Sequence, residues 1–416
     1  MPSTRAVAHR RACHVAAASL LAVLLAVLAP RASQPQRLRL AGPELVADGI
    51  ELYRSTDNSM LDEAAPGPMS LVLARLDPRK VTLATALAND CAPSRETVPA
   101  IAQREHAIVA VNAGFFTMRG AGAPVGLLKH RGRWISGTSR ARGAVAFLAH
   151  GQQEPTRLAF GRVTVAASIA VSTLWRAFSI PLAHLSPEPT TGGLSFYAAP
   201  CGDVATHFSE SAAETGSARP TTPGVTRAWS LEAIGSKWKV RSMAALPAGA
   251  PGAAWLVYRG PAVPPALERI RVGATLTVAP RVGAPDPRVW RDAPDAVGGA
   301  GLLVAGGAAV TDWAPEKTVD TFRADRHPRT VIGVDSEGSI WLIAVDGRNP
   351  PVSVGMSFAE LQRTCLALGL RDALNLDGGG STTLVVHGQV VNRPSDVTGP
   401  RPVSDAIVVR LRRAGS

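Results

Sequence analysis

A chain of 416 residues and 43.3 kDa with 46% hydrophobic and 18% charged residues has the material for one large folded core and excludes an intrinsically disordered protein. Its formal net charge of +12, carried by 44 Lys and Arg against 32 Asp and Glu, favours anionic partners such as phosphates, acidic glycans or lipid headgroups. The basic residues are scattered, with no Lys/Arg run of five or more and no aromatic-interleaved basic stripe, so nucleic acid is not expected as a partner.

At the N-terminus, Arg5, His9, Arg10 and Arg11 precede an apolar run from Val15 to Ala29. That run is shorter than the roughly 20 residues a spanning helix needs and suits a secretory h-region. Residues 1–32 are expected to be a signal peptide, the alternative being an uncleaved anchor and the chain's only membrane attachment. The protein is accordingly expected to be exported, periplasmic or extracellular. Setting aside Arg5, Arg10, Arg11 and Arg31 leaves +8. Cys13 falls in this segment, leaving Cys91, Cys201 and Cys365. A Cys91–Cys201 disulfide is permitted in an oxidising compartment, and Cys365 reads as a buried thiol. The Cys/His spacings do not suggest zinc.

Residues 33–48 read as a loose, polar lead-in, and 49–411 as a single domain. Within it, Ser70–Thr85 alternates as two strands around Asp77-Pro78. Thr97–His106 reads as a helix with Thr97 as N-cap, leading into the strand Ala107–Val111 and then Asn112-Ala113-Gly114-Phe115-Phe116. The middle is a β-rich decoration, with short strands such as Leu194–Tyr197, Ala254–Tyr258 and Ala274–Val278 and an exposed polar loop over Thr206–Thr226. Further on, Val331–Asp335 and Ser339–Val345 form a hairpin through Ser336-Glu337-Gly338. Ser357-Phe358-Ala359-Glu360 is a capping box, and Leu361, Cys365 and Leu368 give the helix that follows one apolar face. Ala373–Leu376 is a short buried strand delivering Asp377 into a triple-glycine turn. A hairpin around His387-Gly388 and a last strand, Ala406–Leu411, complete the chain. The fold class expected is α/β (α+β), a mixed β-sheet core with flanking helices.

The chemistry concentrates in Asn375-Leu376-Asp377-Gly378-Gly379-Gly380-Ser381. An Asn and an Asp interrupt a strand that otherwise calls for apolar residues, and three glycines let backbone approach a ligand closely. Successive Gly amides with the Ser381 hydroxyl are a candidate anion nest. The plain alternative is a tight turn whose Asp bonds its own backbone. The spacing is not that of a dinucleotide-binding loop.

Val111-Asn112-Ala113-Gly114-Phe115-Phe116, Pro328-Arg329-Thr330-Val331-Ile332-Gly333, Asp346-Gly347-Arg348, Asn375–Thr382 and Asn392-Arg393-Pro394-Ser395-Asp396 occur in that order. In this combination the chain resembles the phosphodiester glycosidase family, loosely through the middle and most recognisably over 107–116 and 328–411. Two segments depart from the family pattern: Asn112-Ala113-Gly114-Phe115 has Ala for a Gly, and Gly298–Leu303 lacks a proline. The resemblance implies hydrolysis of a sugar-1-phosphate diester or phosphoglycan at the glycosidic carbon. Breaking that bond passes through an oxocarbenium-like state that a carboxylate can assist, while Arg suits the departing phosphate.

On that basis Asp377 is the first candidate for nucleophile or general base, Asp346 for a second carboxylate, and Glu360 a third candidate whose capping-box role already accounts for it. Arg329 and Arg348 are the candidate phosphate clamps. Asn112, Asn375, Gly378, Gly379, Ser381 and Thr382 are candidate contacts to sugar hydroxyls or phosphate. Of Phe115 and Phe116, core is the default and one is open to sugar stacking. No cofactor is expected, although Asp346 and Asp377 are oxygen donors of the kind a divalent metal takes. Two other readings stay open: a non-catalytic glycan-binding or assembly factor for surface polysaccharide, and a phosphodiesterase cleaving P–O.

Overall fold

The structure, a computed structural model, describes residues 37–148, 154–173, 177–187, 191–201, 225–244 and 254–412. The expected signal segment and nearly all of the polar loop Thr206–Thr226 lie outside these residues.

Strands dominate. Among the described residues they form sheets of eight, twelve, five and two strands. In the eight-stranded sheet the order is Ala41–Ala47, Ile50–Ser55, Leu71–Leu76, Ile340–Val345, Arg329–Asp335, Leu370–Asn375, Leu302–Ala305 and Ala308–Ala309. Every neighbour there is antiparallel. The five-stranded sheet runs Gln389–Val390, Leu384–Val386, Val109–Asn112, Asp405–Leu411 and Val81–Leu87, again antiparallel. The expectation of a mixed sheet holds in the twelve-stranded sheet, where His184–Leu185 runs parallel to Gly193–Tyr197 among antiparallel neighbours, and what needs correcting in the α/β expectation is the helical share, which is low among the described residues. Antiparallel neighbours need no helical crossover, and the helices that do flank the sheets are few and short. The lead-in is corrected too: Ala41–Ala47 pairs with Ile50–Ser55 as an edge hairpin, satisfying its backbone despite its exposed side chains. Leu71–Leu76 and Val81–Leu87 are two strands as expected, but they enter different sheets.

The middle supplies the twelve-stranded sheet, including the long strand Arg157–Ser172 and the expected strands, found at Gly193–Tyr197, Ala254–Gly260 and Thr275–Gly283. One core joins all three large sheets: Val72, Leu342 and Leu374 meet Val145, Val163 and Val297, and also Val111, Ile407 and Val409. On its other face the eight-stranded sheet buries Leu73, Val331 and Ile343 against Phe358, Leu361 and Cys365 of the helix Phe358–Ala367. The helix Val98–Arg104 covers the five-stranded sheet through Val98 and Ile101 against Ala110 and Val408. Burial on both faces explains why Arg329–Asp335 reads as a continuous run rather than an alternation.

The capping box is formed: Ser357 Oγ accepts from the Glu360 amide at 3.4 Å and Glu360 Oε2 accepts from the Ser357 amide at 2.8 Å. Cys91 and Cys201 are disulfide-bonded, and Cys365 is a buried free thiol that burial pushes up to about 12.

Candidate active site

Strand register brings three chain segments to one end of the eight-stranded sheet. Arg329 pairs with Val345, and Val345 with Leu71, while Val331 pairs with Asn375. Pro328–Arg329, Asp346–Arg348 and Asn375–Ser381 therefore emerge together. From Asn375 the chain crosses to the five-stranded sheet, which it joins at Leu384. The crossing is stitched down by Leu376 N to Thr330 O at 2.8 Å and Asp377 N to Ala113 O at 2.9 Å. Asn112 splices the two sheets: its Nδ2 donates to Asp377 O at 2.7 Å, and its Oδ1 accepts from Thr330 Oγ1 at 2.8 Å and Thr383 N at 3.1 Å. Both ends of this buried amide are occupied by protein, so Asn112 shapes the site from beneath.

The triple glycine is required by close approach. Gly379 has φ +61°, and a Cβ there would come within 3.0 Å of Arg348 Nη1. A Cβ on Gly380 would fall on top of the Asp396 carboxylate and the Arg401 guanidinium. These two are a two-pronged ion pair, Nε to Oδ2 at 2.7 Å and Nη2 to Oδ1 at 3.0 Å. One arginine thus lies on each side of the loop. The glycine amides turn inward instead of forming a nest: Gly378 N donates to Asp377 Oδ1 at 2.9 Å and Gly379 N to Pro328 O at 2.9 Å.

Asp377 sits at the start of this loop with part of its surface still accessible. Burial is the largest influence on its carboxyl. Ser381, the Gly378 amide and Arg401 pull the other way, the neighbouring Asp405 charge adds to burial, and the result is about 7. Asp405 is fully buried at the first position of the strand Asp405–Leu411. Its Oδ1 accepts from Gly114 N at 2.7 Å and its Oδ2 from the Ser404 hydroxyl. Burial raises it as well, against those two donors and the charge of His130. Two carboxylates with raised proton affinity sharing one location is the arrangement acid–base chemistry needs. Around them, the Ser381 hydroxyl is turned to Asp377, while Thr383 Oγ1 and Asn375 Oδ1 are buried and lack a hydrogen-bond partner within the protein. Such groups cost stability unless something else satisfies them.

The other candidates are placed as follows. Arg348 is exposed, with φ +58°, its Nη2 lying 3.4 Å from His327 Nδ1. Burial, then the charges of Arg329 and Arg348, hold that imidazole below its ordinary range. Arg329 is 1% exposed. It donates to the carbonyls of Met356, Phe322 and Asp325 and lies against the rings of both Phe322 and Phe358. Burial, with Arg348, lowers it to about 10. It braces the site and is not presented to solvent. Asp346 is buried, its carboxylate taken up by Ser70 Oγ at 2.7 Å, Asn392 Nδ2 at 3.1 Å and Arg393 N at 2.8 Å. Glu360 accepts from Ser357 N, Asp62 N and the Arg326 guanidinium. Those donors outweigh burial and bring it to about 2. Asn375 Nδ2 donates to Ala300 O and Leu376 O, and Thr382 Oγ1 lies 3.3 Å from Thr330 Oγ1.

Asp377, Gly378, Gly379, Ser381 and Arg348 therefore come together, whereas Asp346, Glu360 and Arg329 support from behind. Sequence reasoning missed Asp405, Arg401 and His327. Only Asp405 carried a signal, as a carboxylate opening an otherwise apolar strand. Among the described residues no group of three or more His, Cys, Asp or Glu is arranged to hold a metal ion, and no helix is long and apolar enough to cross a membrane.

Residues 266–410 match the phosphodiester glycosidase family model. The bovine N-acetylglucosamine-1-phosphodiester alpha-N-acetylglucosaminidase is 38% identical over 91 residues, covering 20% of this chain and 17% of that enzyme. An uncharacterized SPbeta prophage-derived protein of Bacillus subtilis is 38% identical over 90 residues, 21% of this chain and 14% of that protein. The chain thus spans under a fifth of the length of these relatives. A crystal structure of a hypothetical protein from Synechocystis superposes with a TM-score of 0.65 at 26% identity, covering 92% of this chain and 65% of that one.

Proposed function

We propose that this chain, whose residues 266–410 match the phosphodiester glycosidase family model, hydrolyses the glycosidic C–O bond of sugar-1-phosphate diesters, with Asp377 as general base. The observation that carries this reading is the placement of Asp377 at the head of a glycine loop packed against Arg348 and Arg401, where burial raises its carboxyl to about 7. A group half ionised near neutrality is matched to proton transfer. Ionised Asp377 takes a proton from water as the water oxygen bonds to the anomeric carbon. The C–O bond to phosphate breaks with its electron pair leaving on the phosphate oxygen, and the products are a free sugar and a phosphomonoester. Arg348 and Arg401 supply fixed positive charge for the departing oxygens. Asp405, closed off by Gly114 N and Ser404, acts through Asp377 by holding its proton affinity up. The exported location and a substrate among envelope or extracellular glycoconjugates belong to the same proposal. The apolar N-terminal run and the Cys91–Cys201 disulfide support them.

The test is turnover of a panel of sugar-1-phosphate diesters in ¹⁸O-water, followed by mass spectrometry, with Asp377→Asn alongside. Label in the released sugar, lost in the folded variant, is the expected result. Label in phosphate would replace this reading with P–O cleavage, and sugar-phosphate binding without turnover would replace it with a glycan-binding role.

A further inference from the structure

The groups named around Asp377 and the two arginines are mostly charged or hydrogen-bonding, and the apolar side chains at their margin include Met118, whose sulfur meets Arg401, and two phenylalanines. Phe116 is core, 8% exposed, but its neighbour Phe115 is only half-buried. Phe115 follows directly on Gly114, whose amide holds Asp405, and lies two positions after Ala113, whose carbonyl holds Asp377. Its ring meets the half-buried ring of Phe322 edge to face, with centroids 6.2 Å apart and planes at 65°. Phe322 lies on the short helix Asp320–Ala324. Its carbonyl accepts from Arg329 Nη2 at 2.8 Å, its ring covers the Arg329 guanidinium at 5.0 Å, and it packs at 5.3 Å on Phe358. Arg329 in turn lies within electrostatic reach of His327 and Arg348.

The aromatic pair therefore links the segment that holds Asp377 and Asp405 to the segment that carries Arg329, within reach of Arg348, and both rings keep accessible surface where the core would have hidden it. We propose that Phe115 and Phe322 are the sugar-recognition wall of this site, stacking on the apolar C–H face of the glycone while the arginines take the phosphate. This rests on the reading of Asp377 as the reacting centre. Each half of the substrate then meets its own chemistry: hydroxyls and C–H faces at the rings and buried hydroxyls, anionic oxygens at Arg348 and Arg401. An aromatic ring is suited to this because it offers area with little rotamer freedom to lose. Phe322 is held in place by Arg329 and Phe358, which gives the buried arginine a purpose the clamp role did not.

The experiment measures calorimetric affinity in the non-reacting Asp377→Asn background for two probes, a sugar-1-phosphate diester and inorganic phosphate. Phe115→Leu, Phe322→Leu and the conservative Phe115→Tyr are compared, and steady-state constants are taken in the wild-type background. Because Phe322 is partly packed, thermal melting reports folding and Phe115→Leu is the primary variant. The expected result is about a tenfold loss of diester affinity in each leucine variant. Phosphate affinity should stay unchanged, KM should rise more than kcat falls, and Phe115→Tyr should retain binding. Unchanged diester affinity in folded leucine variants would overturn the wall, as would an equal loss for inorganic phosphate. Sugar binding that depends on Phe115, without turnover in the wild type, would keep the wall and remove the hydrolase. Turnover indifferent to both rings would do the reverse. A wild-type chain that neither binds nor cleaves any diester would remove both.

Discussion

The two ends of the eight-stranded sheet are built from the same strands and differ in every property that matters to chemistry. At one end lie Asp377, Arg348 and the glycine loop, backed by the buried Thr383 hydroxyl and Asn375 amide oxygen, which have no protein partner. At the other, where Val334 pairs with Asp372 and Ile340 with Leu76, a cavity of about 770 Å³ opens between Arg75, Lys80, Arg157 and Glu337. The ion pairs there are solvated: Arg75 with Glu51 and Glu337, Arg79 with Asp77, Lys80 with Asp48. Solvated pairs of this kind contribute little, about 0–1 kcal/mol each. Volume alone would select the second end. Desolvated carboxyls beside buried polar atoms without a protein partner select the first, because there the fold has accepted a cost that a ligand could relieve.

The sharpest way to break this comparison is to disable each end in turn. Asp377→Asn should lower kcat by about 10³-fold or more with the fold retained, while Arg75→Ala and Arg79→Ala, measured in the same turnover assay, should leave it within about twofold. Equal losses at both ends would erase the distinction. Removing the arginines that flank the loop comes next. Arg401→Ala and Arg348→Ala should each cost about 10²-fold in kcat/KM, and the Arg401 effect should be partly reproduced by Gly380→Ala, which displaces the same ion pair.

Asp405→Asn tests the coupling between the two carboxylates through the pH–rate profile. Without the neighbouring negative charge Asp377 ionises more readily, so the acid limb of kcat/KM should move to lower pH. A limb that stays in place would mean Asp405 does not set the basicity of Asp377.

Stability gives a further contrast, since a raised and a depressed carboxyl act with opposite sign. Asp377 binds its proton more tightly folded than unfolded, so its contribution falls as pH rises from the ordinary carboxyl range through about 7. Asp377→Asn should therefore melt higher than wild type at pH 8, with the gain vanishing toward pH 4. Glu360, held to about 2, contributes fully above its unfolded range and loses that contribution as pH falls toward 2. Glu360→Gln should cost about 2 kcal/mol at neutral pH by thermal or urea melting, with kcat unchanged, the smallest functional effect of the series.

The sequence by itself determined the elements whose signals are local. The hairpin at Ser336-Glu337-Gly338, the Ser357–Glu360 capping box, the apolar face ending in Cys365 and the glycine turn after Asp377 depend on neighbours a few residues apart, and each is formed where its pattern lies. The break after the strand Leu370–Asn375 was legible because Asn375 and Asp377 contradict the apolar run around them. What only the tertiary structure decided is how distant segments pair. Val81–Leu87 joins Asp405–Leu411 instead of Leu71–Leu76, and Asn112 ties Thr330 to Thr383 across two sheets. Asp405 and Arg401 reach Asp377 through that pairing, and Asp346 and Arg329 are drawn behind the site by partners such as Ser70 and Phe322. Local preference fixes backbone geometry residue by residue, whereas the burial that raises a carboxyl, or retires an arginine to a structural role, belongs to surfaces assembled from segments hundreds of residues apart.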